Sequence, residues 1–242
     1  MRKGFHEFSE KPKRFYKAVE TAAEAGGHQV LLDGRAVRSP KGAKLVLPTR
    51  ALADQVAAEW AAQGETIEMG DMHATRLAHT AFEAIPPARE ATALSIAEYA
   101  GSDLLCYYAE EPAALTERQT QLWEPILTRA EAELGLSFVR AAGIVHRPQP
   151  PATLDKVRDL ALALDDFALA GLAFGTSLFG SAVLALALQR RWLEGEAALA
   201  ISRLDEIYQE EQWGIDEEAA QRAERLRAEA IMLDRWFASL GA

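Results

Sequence analysis

Phe167 to Leu188 reads FALAGLAFGTSLFGSAVLALAL, 22 residues without a charge. A run this long raises the question of a membrane span. Gly171, Gly175, Thr176, Ser177, Gly180 and Ser181 dilute it, however, and Gly175-Thr176-Ser177 has the chemistry of a helix stop followed by a helix start. The stretch is therefore read as two helices, about Asp166–Phe174 and Ser177–Trp192. Both are apolar all round and so buried on all sides. The small residues, with Gly171 and Gly175 four apart, allow neighbouring helices to approach closely. This predicts a core hub wrapped by amphipathic helices.

Working outward, the segment from Thr153 to the C-terminus is helical almost throughout, and Leu226, Ala230, Leu233 and Phe237 give the last helix its buried stripe. Ala114–Leu134 is a long amphipathic helix with Leu115, Leu122, Ile126, Ala130 and Leu134 facing inward. Pro125 is expected to kink it or mark a restart. Between these helices, Phe138–His146 is strand or loop, and Arg147-Pro-Gln-Pro-Pro is the clearest linker-like break. The first 48 residues read as strands over Arg14–Thr21, Gln29–Leu32 and Leu45–Leu47, with Asp33-Gly34 as a two-residue hairpin turn. Thr49 is placed to cap a helix over Arg50–Gln63 whose Leu52, Val56 and Trp60 share one face, so Trp60 is read as core. His73–Ile85 is helical, Pro86-Pro87 begins a further helix to about Tyr99, and Leu104–Tyr108 is strand-like. The fold class is α+β: a small N-terminal antiparallel sheet with covering helices, residues 1–85, joined to a larger all-helical C-terminal part, residues 86–242.

Composition narrows the function. The chain has 242 residues, a net charge of −10 and a pI near 5.1, which argues against nucleic acid because phosphates require a basic face. The charge is uneven: residues 1–50 hold 11 Lys/Arg against 5 Asp/Glu, whereas residues 201–242 hold 5 against 10. That asymmetry suits a surface that meets a charged partner, or two contacting parts of one chain. Cys106 is alone, which leaves no disulfide framework and no thiolate metal cluster, and its apolar neighbours mark a buried, inert thiol. The opening MRKGFHEFSEKPKRF lacks the apolar core of a secretory signal, so a reducing compartment, the bacterial cytoplasm, is expected.

Catalytic signatures are missing. Neither GxGxxG nor GxxxxGK[ST] occurs, Gly175–Gly180 has GxSxxG rather than GxSxG spacing, and the last histidine, His146, precedes Ser177. His73 and His79 lie six apart, nearly 120° around a helix, and do not form a metal-ligand pair. No catalytic residue, cofactor or metal site is assigned. The informative stretch is Ser202–Glu218, SRLDEIYQEEQWGIDEE. On a helix Leu204, Ile207 and Tyr208 share one face and Glu211 continues it, so this carboxylate is paired, faces a groove, or reaches water where the helix frays before Trp213-Gly214. A carboxylate beside a tryptophan can recognise an arginine or backbone amides, with Asp205, Glu206, Glu210, Asp216, Glu217 and Glu218 adding a negative field.

Glu210-Glu211-Gln212-Trp213-Gly214 followed by Asp216-Glu217-Glu218-Ala219 resembles the signature of the ATP synthase assembly chaperones that act on the alpha subunit of the catalytic head. Further segments agree in order: Arg14–Lys17, Val30–Arg35, Leu47-Pro48-Thr49 with Glu59-Trp60, Thr75–Ala81, and Tyr99–Tyr107. His79 stands where the family pattern has Asn, and Glu83 where it has Asp. The resemblance runs from about residue 14 to 220. It implies a chaperone without nucleotide hydrolysis of its own, which binds the unassembled alpha subunit, shields its beta-facing surface and is released on assembly. It implies a small N-terminal α/β part and a larger helical part. Carried onto this sequence, it makes Glu211, Trp213 and Gly214, with Asp205 and Glu217 nearby, the candidate partner site. A monomer is expected for an acidic, largely helical chain, because a surface that holds a subunit must stay free. The rival expectation is a small-molecule enzyme or ligand-binding protein with an acidic and aromatic pocket near Glu211.

Overall fold

The computed structural model describes residues 12–241; the reading of the chain's opening falls largely on residues 1–11, outside the described residues. Three strands, β1 (Val19–Glu24), β2 (Gly27–Leu32) and β3 (Arg35–Ala36), form an antiparallel sheet in sequence order, with Val19 opposite Leu32 and Leu31 opposite Ala36. Asp33 (φ 47°) and Gly34 (φ 77°) both take the positive angles of a type I′ turn. The Asp33 carboxylate folds back to accept the backbone N–H groups of Lys17 and Ala18.

The first strand starts later than its β-branched and aromatic residues predict. Arg14 and Tyr16 are committed elsewhere: the Arg14 guanidinium lies over the Tyr16 ring, and the Tyr16 hydroxyl donates to the Trp60 carbonyl at 2.7 Å. Leu45–Leu47 likewise forms only one isolated bridge, His28 with Leu47, preceded by one between Arg38 and Lys44, although Leu45 and Leu47 are fully buried.

Helix α1 (Arg50–Ala61) is capped as expected, Thr49 Oγ1 accepting from Leu52 N, and ends before Gly64. The same hydroxyl donates to the Ser239 carbonyl at 2.7 Å, which ties the start of α1 to the last turn of the chain. Glu59 leaves α1 to accept the backbone N–H groups of Ala74 and Thr75 at 2.7 and 2.8 Å. It thereby satisfies orphan donors at the start of α2 (His73–His79). A π turn over Thr80–Ala84 and a short 3₁₀ turn at Pro86–Ala88 lead into α3 (Arg89–Ala100).

A 3₁₀ turn, Leu104–Cys106, occupies most of the stretch expected as strand, and only Tyr107–Tyr108 is extended (β4), pairing in parallel with β5 (Ala141–Ala142). Helix α4 (Ala113–Leu134) runs through Pro125 as one element. Its inner face carries Leu115, Ile126, Ala130 and Leu134 as expected, with Gln119, Trp123 and Leu127 buried as well; Leu122 alone of the expected residues is exposed. Arg140 holds the chain after α4 in place, donating to Glu124 at 2.7 Å and to Glu131. Its charge and hydrogen bonds keep Glu124 below the usual carboxylate range.

Beyond α5 (Pro151–Leu162) comes the uncharged stretch. It does form two helices, but the break falls later than its composition predicts: α6 spans Asp166–Phe179 and α7 spans Ala182–Gln189. Thr176 stays helical by donating its hydroxyl to the Leu172 carbonyl at 2.8 Å, and Gly175 stays helical because Leu233 and Ala185 pack where its side chain would be. The stop is Gly180 (φ 62°), and Ser181 caps α7 by accepting from Leu184 N. Every residue from Ala182 to Leu188 is buried. Among the described residues no helix is long and apolar enough to cross a membrane; the 14 residues of α6 reach about 21 Å, against roughly 30 Å of hydrocarbon.

Helix α8 (Gly195–Ser202), α9 (Leu204–Trp213) and α10 (Glu217–Leu240) complete the chain, and α10 lies across α8, α6 and α1. At Gly195 a β-carbon would stand 2.1 Å from the Ala230 carbonyl oxygen, a backbone atom that cannot yield. Gly195→Ala is therefore expected to destabilise the fold by about 2 kcal/mol, read as a fall in the urea midpoint at unchanged slope.

Candidate functional site

The site is built where α9 meets α10. Leu204 is buried and anchors α9 against α4, while the helix's outer side and C-terminus face solvent. Gly214 (φ 83°) lets the chain leave α9, its N–H still donating to the Glu210 carbonyl at 2.8 Å. Asp216 then caps α10 by accepting from Ala219 N at 2.7 Å. The helix does not fray before Trp213. This turn instead holds the Trp213 indole in solvent, 79% exposed, with Ile215 half-exposed beside it. Large exposed aromatics at a capped, ordered turn are unusual, since burying such a ring is worth several kcal/mol.

The structure separates the five predicted residues. Trp213 and Gly214 line a cavity of about 780 Å³ floored by Leu178, Phe179 and Gly180 at the α6–α7 break. Glu211 points away from it. The carboxylate that continues the apolar stripe is paired, its Oε2 standing 2.8 Å from Arg118 Nη1 on α4, with the same guanidinium over the Tyr208 ring at 5.7 Å. Asp205 also turns toward α4, accepting from Gln119 Nε2 at 2.7 Å, and borders a second cavity, of about 1040 Å³, with Tyr107, Tyr108, Glu110, Glu111 and Ile144. Glu217 lies exposed on the first turn of α10, accepting from Gln221 Nε2 at 3.3 Å.

Residues that the sequence reading treated only as field turn out to rim the first cavity: Glu206, Glu210, Asp216 and Glu218, together with Arg203 and Arg222. Arg203 is taken by Glu210 at 2.9 Å. Glu206 and Glu218 have no ion-pair partner within 4 Å among the described residues. Ile144, fully exposed, was not anticipated; its neighbours in sequence are unremarkable, and only the β4–β5 pairing brings it beside Asp205's cavity. Among the described residues no group of three or more His, Cys, Asp or Glu is placed to hold a metal ion. His73 pairs with Glu229, Nδ1 to Oε1 at 3.6 Å, and half-buried His79 is pushed toward its neutral form by desolvation. Cys106 is buried, and desolvation beside Asp103 raises its thiol well above the ordinary range, so it is no nucleophile at neutral pH.

Known proteins with this architecture carry a consistent identity. The Atp12 protein of Paracoccus denitrificans superimposes with a TM-score of 0.85 at 39% identity, over 94% of this chain and 97% of that one. The family model described as ATP12 chaperone protein matches residues 13–131. The chain belongs to the ATP12 chaperone family. A candidate chaperone of Agrobacterium tumefaciens agrees, with a TM-score of 0.89 at 41% identity over 95% of this chain and 86% of that one. The mitochondrial protein atp12 of Schizosaccharomyces pombe is 27% identical over 219 residues, which are 86% of this chain and 75% of that protein.

Within the ATP12 fold, many of the signature residues turn out to be joints rather than surface. Tyr16 bonds α1, Asp33 closes the hairpin, Thr49 and Glu59 cap helices, and Asp103 is fully buried. Trp60 is core, edge-on to Tyr16 with ring centroids 5.7 Å apart. Phe15 and Tyr99 of the signature are exposed as well, and so is the α9–α10 turn, which lies outside the span of the family model.

Proposed function

We propose that this ATP12-family chaperone binds the unassembled alpha subunit of the ATP synthase catalytic head, covers the surface that a beta subunit later occupies, and is released on assembly. The observation that carries the reading is Trp213, 79% exposed on an ordered turn and bordered by the carboxylates of Glu206 and Glu218, which make no ion pair among the described residues. A chaperone needs an apolar contact it can leave uncovered without unfolding, and a tryptophan on a capped turn supplies one. Unassembled subunits expose large apolar interfaces that aggregate until paired, which is the physical need that such a surface meets. Release by a competing subunit calls for moderate affinity, and a small hot spot with a solvated acidic rim fits that requirement. The partner site comprises Glu211, Trp213 and Gly214, flanked by Asp205 and Glu217, on a chain that acts as a cytoplasmic monomer.

The test is Glu211→Lys. The Glu211–Arg118 pair is solvent-exposed on both sides, 44% and 42%, so its loss costs the fold less than about 1 kcal/mol. The substitution also sets a second cation beside Arg118 and reverses the charge two residues before Trp213. Thermal unfolding is expected to be nearly unchanged, while suppression of alpha-subunit aggregation is lost. Normal suppression by this variant would remove Glu211 from the site.

A further inference from the structure

The two cavities described above are neighbours with a shared wall. Leu104 lines both, with Glu206 and Trp213 on one side of it and Asp205, Tyr107 and Ile144 on the other. Adjacent residues of α9 thus face adjacent grooves. The second groove has a sharper charge than the first: its lining contains the carboxylates of Glu110, Glu111 and Asp205 and no lysine or arginine. Glu110 and Glu111 are exposed and without an ion-pair partner among the described residues.

Its apolar tip is held there by backbone geometry. Gly143 N–H donates to the Tyr108 carbonyl at 2.9 Å, which extends the β4–β5 pairing into the loop that carries Ile144. A β-carbon on Gly143 (φ 74°) would stand 2.9 Å from the Glu110 carboxyl carbon, so the carboxylate lies directly against the loop. Ile144 is completely exposed and Val145 is 65% exposed. The loop therefore presents an uncovered β-branched side chain next to an uncompensated carboxylate, as the α9–α10 turn presents Trp213 next to Glu206 and Glu218.

We infer that the groove lined by Ile144, Tyr107, Glu110, Glu111 and Asp205 is a second docking surface for the alpha subunit, continuous past Leu104 with the Trp213 site, and that it receives a basic segment carrying an apolar side chain. The inference rests on the reading that the alpha subunit is this chaperone's partner. Charge decides among occupants. Nucleic acid or an anionic membrane would be repelled outright, and a second copy of this chain, at net −10 overall, is disfavoured against a basic partner. A cationic segment gains from every carboxylate in the lining, and the two exposed apolar tips give it two anchors instead of one. Two weak contacts joined on one rigid chain bind more tightly than either alone yet remain individually displaceable.

Two variants test this: Glu110→Lys with Glu111→Lys, and Ile144→Asp. All three side chains are exposed, so thermal unfolding is expected to stay near that of the unaltered chain. Binding of isolated alpha subunit is titrated at low and at high ionic strength. The double charge reversal is expected to weaken binding about tenfold at low ionic strength and to flatten its salt dependence, and Ile144→Asp to weaken it about fivefold at both. Should the charge reversal unfold the chain, Ile144→Asp decides alone. Unchanged affinity in the folded variants, with Glu211→Lys still abolishing capture, overturns the second surface and leaves the first. Failure of the unaltered chain to bind the alpha subunit overturns both.

Discussion

Trp236→Ala is expected to destabilise the protein by about 4 kcal/mol, a sizeable part of the stability of a domain this size. Trp236 has no exposed surface, stacks on Phe167 with ring centroids 6.1 Å apart, and donates its Nε1–H to the Phe167 carbonyl at 3.1 Å. With Leu233 and Phe237 it closes α10 over α6. The indole fits because residue 171 is glycine; a β-carbon there would stand 2.9 Å from the Trp236 nitrogen. Truncation leaves a void in a close-packed helix–helix seam. Chemical unfolding followed by helical circular dichroism measures the loss. A decrease under about 1 kcal/mol would mean that α10 is an appendage and that the uncharged stretch is not the hub of the fold.

Asp103→Ala has the second large effect, about 3 kcal/mol at pH 7. The fully buried Asp103 carboxylate accepts from Ser181 Oγ at 2.7 Å, Val183 N at 3.0 Å and Leu105 N at 3.1 Å. It thus joins the turn before β4 to the N-terminus of α7, and alanine strands those donors in the core. The loss also depends on pH. Burial pushes this carboxyl from 3.8 up to about 6, against the opposing pull of its hydrogen bonds. A folded-state value above the unfolded one means that the folded chain holds the proton more tightly. The group's contribution is then fully present below about pH 4 and declines as pH rises through about 6. The stability gap between the natural chain and Asp103→Ala is accordingly expected to be larger at pH 5 than at pH 7, by on the order of 1 kcal/mol. A gap that narrows toward pH 5 would show that the hydrogen bonds outweigh the desolvation.

These two residues also show what sequence reading can and cannot reach. The hub was legible because 22 uncharged residues with small side chains have few soluble arrangements other than buried helices. The break inside it was misplaced because Gly-Thr-Ser and Gly-Ser are equally good punctuation locally. The choice is made by Leu233 and Ala185 packing on Gly175, and by Asp103 reaching Ser181 from 78 residues away. Leu122 and Trp123 illustrate the same limit: both are apolar and adjacent on α4, and only the position of the neighbouring elements decides that Trp123 is core and Leu122 exposed. At the site, Glu211 stood out because a carboxylate extends an apolar stripe, but the partner that resolves the anomaly, Arg118, lies 93 positions earlier. Ile144 gave no local signal at all. Its exposure follows from the short parallel pairing of β4 with β5, a non-local contact that no periodicity announces.

The most direct test of the account is to mix this chain with isolated alpha subunit, and separately with isolated beta subunit, and to measure the mass of the species formed. The account predicts a one-to-one complex with alpha, none with beta, and dissolution of the alpha complex when beta is added. A chain that forms no complex with alpha, or that keeps its alpha subunit in the presence of excess beta, contradicts it.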